Sequence, residues 1–209
     1  HMLALINDVL DISRIEAGRV TVQNAAFDLH DTLVGIEEMV RVRTEQKGLS
    51  FVVEHSGELP RYVFGDAVHL RQVLVNLLGN AVKYTDSGRV CLRLTPETDS
   101  IRFEVIDSGP GIAMDEQDRI FQPFYQAEFG IAKGEGTGLG LTIGREYVRL
   151  MGGELWVRSE PGHGSVFGFS LPLPETRVPL IETHPHRVLG LEPGQAEMRI
   201  LVAEDNPDN

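Results

Sequence analysis

The chain has 209 residues, of which 42% are hydrophobic, and it carries a formal net charge of −12. Its size and composition fit one well-buried domain with flanking segments, and they exclude a disordered chain. The acidic balance argues against a nucleic-acid partner, and no apolar run approaches the roughly 20 residues that a membrane-spanning helix needs. Because Cys91 is the only cysteine, no internal disulfide is possible and a reducing compartment such as the cytoplasm is expected.

The first predicted element is an amphipathic helix over residues 3–17, with Gly18 as its stop. His1 and Met2 before it resemble a cloning remnant. The helix has an apolar stripe and nothing ahead of it to pack on, which indicates one half of a helical hairpin or dimer. Packing of this helix on its own domain is an equally good interpretation of the pattern.

Two further helices are predicted in the first half of the chain. Asp28 can cap a helix that runs to about Lys47 and ends at Gly48. Alternating apolar residues over 49–53 then predict a strand. A third helix is predicted over residues 67–84, with an apolar face that recurs every three or four positions.

The second half alternates between strands, a long loop and one more helix. The loop, residues 112–135, is too long to be accidental in a compact domain and is expected to be functional. A helix is predicted over 139–151. Alternation predicts four more strands, over 90–94, 101–105, 155–157 and 166–171. This order of elements predicts an α/β fold, a two-layer sandwich of a mixed sheet packed on about three helices.

The third helix carries polar side chains near one face. Asn76 and Asn80 are one turn apart, and Lys83 and Tyr84 follow close to the same face. An asparagine oxygen can bind Mg²⁺, a lysine can neutralise phosphate charge, and a tyrosine ring can cover a purine. A single asparagine would more often be a surface residue, but the cluster indicates a nucleotide cleft.

Two glycine turns frame the long loop. Asp107 ends a predicted strand and can accept a hydrogen bond from the exocyclic amine of adenine, while Gly109 and Gly111 let the backbone approach a ligand closely. The run from Gly136 to Gly140 opens a helix whose N–H groups suit a phosphate. Alone, the first turn could be an ordinary Asp-Gly turn and the second could be a hinge.

Taken in order, these motifs resemble the ATP-binding domain of bacterial sensor histidine kinases. The matching stretches are 76–84, 107–111, 121–124 and 136–141, which resemble the N, G1, F and G2 boxes of that family. The resemblance runs from about residue 27 to residue 173. It implies the Bergerat-type fold shared with the gyrase, MutL and Hsp90 ATPases, with a mobile ATP lid.

The flanking segments carry the resemblance further. Residues 5–18 look like the end of the dimerisation and histidine-phosphotransfer hairpin, and residues 200–206 look like the first strand and acidic pair of a receiver domain. The parent would then be a hybrid sensor kinase, a homodimer, with its hairpin, its receiver and a response regulator or downstream phosphotransfer protein as partners. An anchor in the inner membrane through upstream segments is compatible with this interpretation.

The resemblance implies a domain plan. Residues 1–20 would be the remnant and the end of the hairpin helix, and residues 21–173 the ATP-binding catalytic domain. Residues 174–197, punctuated by proline, would be a linker. Residues 198–209 would be the truncated start of the receiver domain.

Carried over residue by residue, the resemblance implies ATP and Mg²⁺ as ligands. Asn80 would hold the metal, Asn76 would lie by the metal and phosphates, and Lys83 would contact phosphate, so Asn76 and Lys83 are the candidate catalytic residues. Tyr84 would pack by adenine and Asp107 would bind its amine. The other residues expected around the nucleotide are Gly109, Gly111, Ile112, Phe121, Lys133, Gly136, Thr137, Gly138, Leu139 and Gly140. Phe121 is expected mainly to anchor the hinge end of the loop.

Three departures from the family pattern leave other functions open. The phosphoacceptor histidine would lie upstream, so this stretch is not expected to phosphorylate itself, and the receiver ends before its aspartate. Ala132 precedes Lys133 where hybrid kinases often carry arginine, and a regulatory domain that binds a partner kinase with little ATP turnover is the alternative. An ATP hydrolase is disfavoured, because Asn76 stands where those enzymes carry a glutamate base.

Overall fold

The computed structural model describes residues 2–127 and 137–177, and for residues 2–5 and 16 it describes the backbone alone. Lys133 and Gly136, residues 178–197 of the predicted linker and the predicted receiver strand lie outside the described residues. The helices are α1 (Met2–Glu16), α2 (Leu29–Lys47), α3 (Ala67–Tyr84) and α4 (Gly140–Leu150), with a 3₁₀ turn at Arg119–Phe121. The strands are β1 (Ala25–Asp28), β2 (Ser50–His55), β3 (Tyr62–Gly65), β4 (Arg89–Pro96), β5 (Ile101–Asp107), β6 (Glu154–Glu160) and β7 (Gly164–Leu171).

The main sheet has five strands in the order β2-β4-β5-β7-β6. Strand β2 pairs parallel to β4, and every other neighbouring pair is antiparallel. The sheet is therefore mixed, and the helices cover one of its faces, so the predicted two-layer α/β sandwich is confirmed. Among the described residues, no helix is both long and apolar enough to cross a membrane.

A second, two-stranded sheet was not predicted from the sequence. Strands β1 and β3 pair antiparallel and are four residues long each. In β3 burial alternates but hydrophobicity does not, since the apolar Phe64 is 45% exposed while its apolar neighbour Val63 is fully buried. Strands this short carry too little periodicity to be read from the sequence.

The core lies between the main sheet and the helices. Along β5, Ile101, Phe103, Val105 and Asp107 alternate towards the helices and are all buried. The rings of Phe103 and Phe169 stack across β5 and β7 with centroids 5.0 Å apart. This alternation brings the Asp107 carboxylate to the helix side of the sheet at the very end of β5.

The ends of α2 and α3 are fixed in different ways. Asp28 accepts a hydrogen bond from the Asp31 N–H at the start of α2, and Gly48 ends that helix in the left-handed region at φ 69°. At the start of α3, Asp66 accepts from the Val68 and His69 N–H groups. Helix α3 instead ends at an extended residue, Thr85, whose N–H donates to Ala81 O. Its last carbonyls therefore lack the glycine cap that α2 possesses.

Helix α1 has one packed face and one exposed face. Ile12 and Ile15 are partly buried against the core, whereas Ile6, Val9 and Leu10 are between 42% and 48% exposed. Packing on its own domain therefore accounts for one face of α1. The other face is apolar and exposed, and the assignment of α1 to a hairpin or dimer stays a prediction.

Candidate functional site

The polar cluster of α3 lies off the core-facing side of the helix. Asn76, Asn80, Lys83 and Tyr84 are each half-buried, while Leu77, Leu78, Ala81 and Val82 between them are buried. The predicted division of α3 into an apolar face and a polar, partly accessible face is therefore present.

Asn76 lies against the first turns of α4. A Cβ added at Gly140 would collide with Asn76 Oδ1, and one added at Gly144 would lie 3.5 Å from Asn76 Nδ2. Within the described ranges, Nδ2 is buried without a hydrogen-bond partner. An amide that has lost water and gained no partner is costly, which marks this position as one where an acceptor is missing. The structure thus brings the N-box asparagine to the glycine-rich start of α4.

Lys83 and Tyr84 interact with one another at the end of α3. Lys83 Nζ donates a hydrogen bond to the Tyr84 hydroxyl at 3.1 Å and lies 4.7 Å from the centroid of its ring. The ammonium is thereby held near the polar face of the helix. A cation in this position can meet an anionic ligand that enters beside the ring.

Asp107 is buried at the end of β5, with only 8% of the residue exposed. Its Oδ1 accepts a hydrogen bond of 2.8 Å from the Gly109 N–H. Burial raises the pKa of the Asp107 carboxyl, and the N–H groups of Gly109 and Ser165 oppose that rise. A largely desolvated carboxylate has unused acceptor capacity and suits a ligand that donates hydrogen bonds.

Gly109 connects Asp107 to the end of α3. An ideal Cβ at Gly109 would lie 2.8 Å from Asp107 Oδ1, 3.3 Å from the Tyr84 carbonyl and 3.5 Å from Thr85 Oγ1. Thr85 is fully buried, and among the described residues its hydroxyl has no hydrogen-bond partner. Sequence reasoning missed Thr85; its position directly after Tyr84 was the only signal.

Gly111 and Ile112 both contact the end of β6. Gly111 has a φ of 73°, and a Cβ there would collide with the Glu160 carbonyl at the end of β6. The Ile112 N–H donates to Ser159 Oγ at 2.8 Å. These contacts fasten the turn after Asp107 to the β6–β7 hairpin, which gives Gly111 a packing role.

Phe124, inside the long loop, contacts Gly138, which follows the loop. The Phe124 N–H donates to the Gly138 carbonyl at 3.0 Å, and both residues have positive φ, 62° and 72°. Phe121 is buried, its carbonyl accepts a hydrogen bond of 3.0 Å from Thr142 of α4, and the Arg145 guanidinium lies 5.5 Å from its ring. These contacts hold Phe121 against α4, and its role at a hinge of the loop stays a prediction.

The glycine-rich turn before α4 is ordered by Thr137 and Leu139. The Leu139 N–H donates to Thr137 Oγ1 at 3.1 Å, and the Leu139 side chain is fully buried. Gly140 then begins α4 against Asn76. Of the residues predicted for this turn, Thr137, Gly138, Leu139 and Gly140 surround the start of α4, while Lys133 and Gly136 lie outside the described residues.

A divalent metal would need ligands other than a carboxylate cluster. The part of the chain that the structure describes holds no group of three or more His, Cys, Asp or Glu side chains able to bind one. Mg²⁺ commonly keeps few protein ligands and is completed by water and substrate phosphates. The half-buried Asn80 amide on the polar face of α3 fits that kind of site.

The mixed sheet with helices packed on one face defines a class of protein, the two-layer Bergerat-type domain. Residues 65–175 match the family described as histidine kinase-, DNA gyrase B-, and HSP90-like ATPase. The chain therefore belongs to this family.

Known proteins are similar over most of this chain. The sensory/regulatory protein RpfC of Xanthomonas campestris is 39% identical over 82% of the chain, and the autoinducer 2 sensor kinase/phosphatase LuxQ of Vibrio parahaemolyticus is 36% identical over 100% of it. The chain spans 25% of the length of each of these relatives. The crystal structure of full-length ShkA in complex with AMPPNP shares 36% identity and a TM-score of 0.76, covering 86% of this chain and 37% of that one.

Proposed function

We propose that this chain is the ATP-binding kinase module of a two-component hybrid sensor histidine kinase. It would deliver the γ-phosphoryl group of ATP to a histidine on the hairpin domain, the end of which residues 5–18 resemble. The observation that carries this proposal is the buried Asp107 carboxylate, which lies beside Gly109 and the end of α3. The family match and the AMPPNP complex of ShkA support it.

The base-recognition step rests on Asp107 and its surroundings. Adenine presents an exocyclic amine, which is a hydrogen-bond donor, and Asp107 is an acceptor whose Oδ1 is already oriented by the Gly109 N–H. Because the carboxylate is desolvated, a hydrogen bond to a ligand there replaces little competing water. A side chain at Gly109 would crowd both Asp107 Oδ1 and Thr85 Oγ1, so glycine leaves room beside these two oxygens.

The phosphate-recognition step rests on α3 and the start of α4. Lys83 would contact phosphate oxygens, and the first N–H groups of α4 after Gly140 would face the same negative charge. Asn76, packed on Gly140, would orient the phosphates, and its buried Nδ2 would gain the acceptor that it lacks here. Positioning and charge stabilisation supply most of the catalysis in phosphoryl transfer.

Mg²⁺ would be held by the Asn80 amide oxygen and by oxygens of the nucleotide. When bound, it would neutralise charge on the phosphates. Asn76 and Asn80 supply no proton acceptor of useful basicity, which favours transfer to a histidine nucleophile over activation of water. The partners that follow are the hairpin domain, a receiver domain and a response regulator or phosphotransfer protein, with the parent acting as a homodimer.

Calorimetric titration tests the binding half of the proposal. ADP and a non-hydrolysable ATP analogue are titrated into the chain and into Asp107→Asn, each with and without Mg²⁺. We expect saturable binding that weakens about tenfold or more in Asp107→Asn, because a charged hydrogen bond is lost. No binding by the folded chain would reject the proposal.

Phosphotransfer to an added hairpin tests the catalytic half. The hairpin domain of the parent, carrying its histidine, is mixed with this chain and radiolabelled ATP. We expect label on the hairpin and none on this chain alone. If the hairpin stays unlabelled although nucleotide binds normally, the kinase activity is rejected and only nucleotide binding remains.

A further inference from the structure

Lys47, the last residue of α2, reaches across to the end of α3. Its ammonium donates hydrogen bonds to three backbone carbonyls, those of Val82 and Lys83 at 2.9 Å and that of Thr85 at 3.3 Å. These three bonds go to the last turn of α3 and to Thr85, which follows it. This contact joins residues 35 to 38 positions apart in sequence.

The end of α3 needs a donor of this kind. The last carbonyls of any helix lack intrahelical partners and carry the negative end of the helix dipole. At the end of α2, the Gly48 N–H donates hydrogen bonds to two of these carbonyls, those of Glu45 and Thr44. Helix α3 ends at Thr85 in an extended conformation, with only the Thr85 N–H turned back to Ala81. Lys47 supplies from another helix the donors that α3 does not supply itself.

The position of these carbonyls matters for the proposed site. Lys83 and Thr85, whose carbonyls Lys47 binds, carry the proposed phosphate cation and the buried hydroxyl next to Gly109. Tyr84 lies between them, and its own carbonyl faces the position that a Cβ of Gly109 would occupy. A shift of this turn would move the proposed adenine and phosphate contacts together.

We propose that Lys47 is a positioning residue for the nucleotide site. It acts through the backbone of α3 and does not itself contact the ligand. This inference rests on the proposed function, since it names what holds that site in place. Lys47 is itself exposed, so its bonds compete with water and the expected effect is moderate.

The test compares nucleotide affinity and thermal stability in matched variants. Lys47→Met keeps the aliphatic stem and removes the hydrogen-bond donors, whereas Lys47→Arg keeps donors. The control is Arg41→Met, which removes a positive charge from the same helix at a residue that pairs with Glu37. We expect Lys47→Met to weaken binding of the ATP analogue about fivefold at a temperature where every variant is folded. Lys47→Arg should recover most of the affinity, and Arg41→Met should bind as the unaltered chain does.

The amide NMR shifts of residues 83–85 in the ligand-free protein give a second readout. Compared with the unaltered chain, these chemical shifts should change in Lys47→Met and remain the same in Arg41→Met. If Lys47→Met lowers the melting temperature but binds nucleotide normally, Lys47 only caps α3 and the positioning role is rejected while the proposed function stands. If the unaltered chain fails to bind nucleotide, the proposed function falls and this inference falls with it.

Discussion

Thr137 donates a hydrogen bond of 2.9 Å to Asp8, which joins the turn before α4 to a helix 129 positions earlier. The same hydroxyl accepts from the Leu139 N–H, so one oxygen connects α1 to the start of α4. One turn further along α1, Asp11 accepts a hydrogen bond of 3.2 Å from Gln72 of α3. Helix α1 therefore contacts both helices that border the proposed nucleotide site.

Removal of the Thr137 hydroxyl should loosen α1. We expect Thr137→Val to speed amide hydrogen exchange in residues 6–15 by about fivefold, because a hydrogen bond of this kind contributes about 1 kcal/mol. Thr137→Ser keeps the hydroxyl and should leave exchange unchanged. Equal protection of α1 in both variants, measured by mass spectrometry, would show that Asp8 and Thr137 contribute nothing to its docking.

We expect the buried Asp107 carboxylate to lower the free energy of unfolding. Burial raises the pKa of its carboxyl above 3.8, so the folded state disfavours the ionised form. The resulting penalty is absent below the unfolded pKa and is complete once pH has risen through the folded pKa. We therefore expect Asp107→Asn to unfold at a higher temperature than the unaltered chain at pH 7, although it binds nucleotide less well.

A pH series separates this effect from simple repacking. The difference in melting temperature between Asp107→Asn and the unaltered chain should shrink as pH falls towards about 4, where the unfolded carboxyl also takes up a proton. Asp99 is an exposed aspartate between β4 and β5, so Asp99→Asn serves as the surface control. A constant difference across pH would contradict the electrostatic explanation.

Gly140 and Gly144 form a matched pair on α4, because both face Asn76. A Cβ at Gly140 would collide with Asn76 Oδ1, whereas at Gly144 the nearest atom, Asn76 Nδ2, would be at an ordinary contact distance of 3.5 Å. We expect Gly140→Ala to displace Asn76 and weaken binding of the ATP analogue about tenfold. Gly144→Ala should bind normally and gain up to about 1 kcal/mol of stability from helix propensity. Equal affinities would show that Asn76 does not depend on Gly140.

A comparison of Thr85 with Thr142 tests whether the buried Thr85 hydroxyl lacks a hydrogen-bond partner. Both are buried, but only the Thr142 hydroxyl has a partner in the described structure, the Phe121 carbonyl at 3.0 Å. We expect Thr85→Val to raise the free energy of unfolding by about 1 kcal/mol and Thr142→Val to lower it by a similar amount. Urea denaturation measures both. Destabilisation of equal size in the two variants would mean that Thr85 is hydrogen-bonded after all.

The sequence was most informative where a local rule fixes the backbone. Asp28 and Gly48 are the observed caps of α2, as predicted, because a side-chain acceptor and a residue tolerant of positive φ have no strong competitors there. The fold class was predicted correctly from periodicity and from the family resemblance. Strands β1 and β3 were missed, since four-residue strands leave almost no periodic signal.

The contacts around the site were beyond the sequence. The bonds from Lys47 to the end of α3 and from Thr137 to Asp8 join residues far apart in the chain, and neither is marked by a motif. The role of Gly111 beside a ligand stays a prediction, and the sequence did not indicate that its missing side chain makes room for the Glu160 carbonyl. Which element a glycine approaches is decided by tertiary packing, which spacing along the chain does not encode.

The hydrogen bond between Phe124 and Gly138 has a consequence for how this protein can change over time. Residues 124 and 138 are held next to each other by this bond. Each doubling of the length of chain that joins two adjacent points adds only about 0.6 kcal/mol of closure entropy. Insertions and deletions between these two residues can therefore accumulate at little cost while the sheet and α4 keep their places.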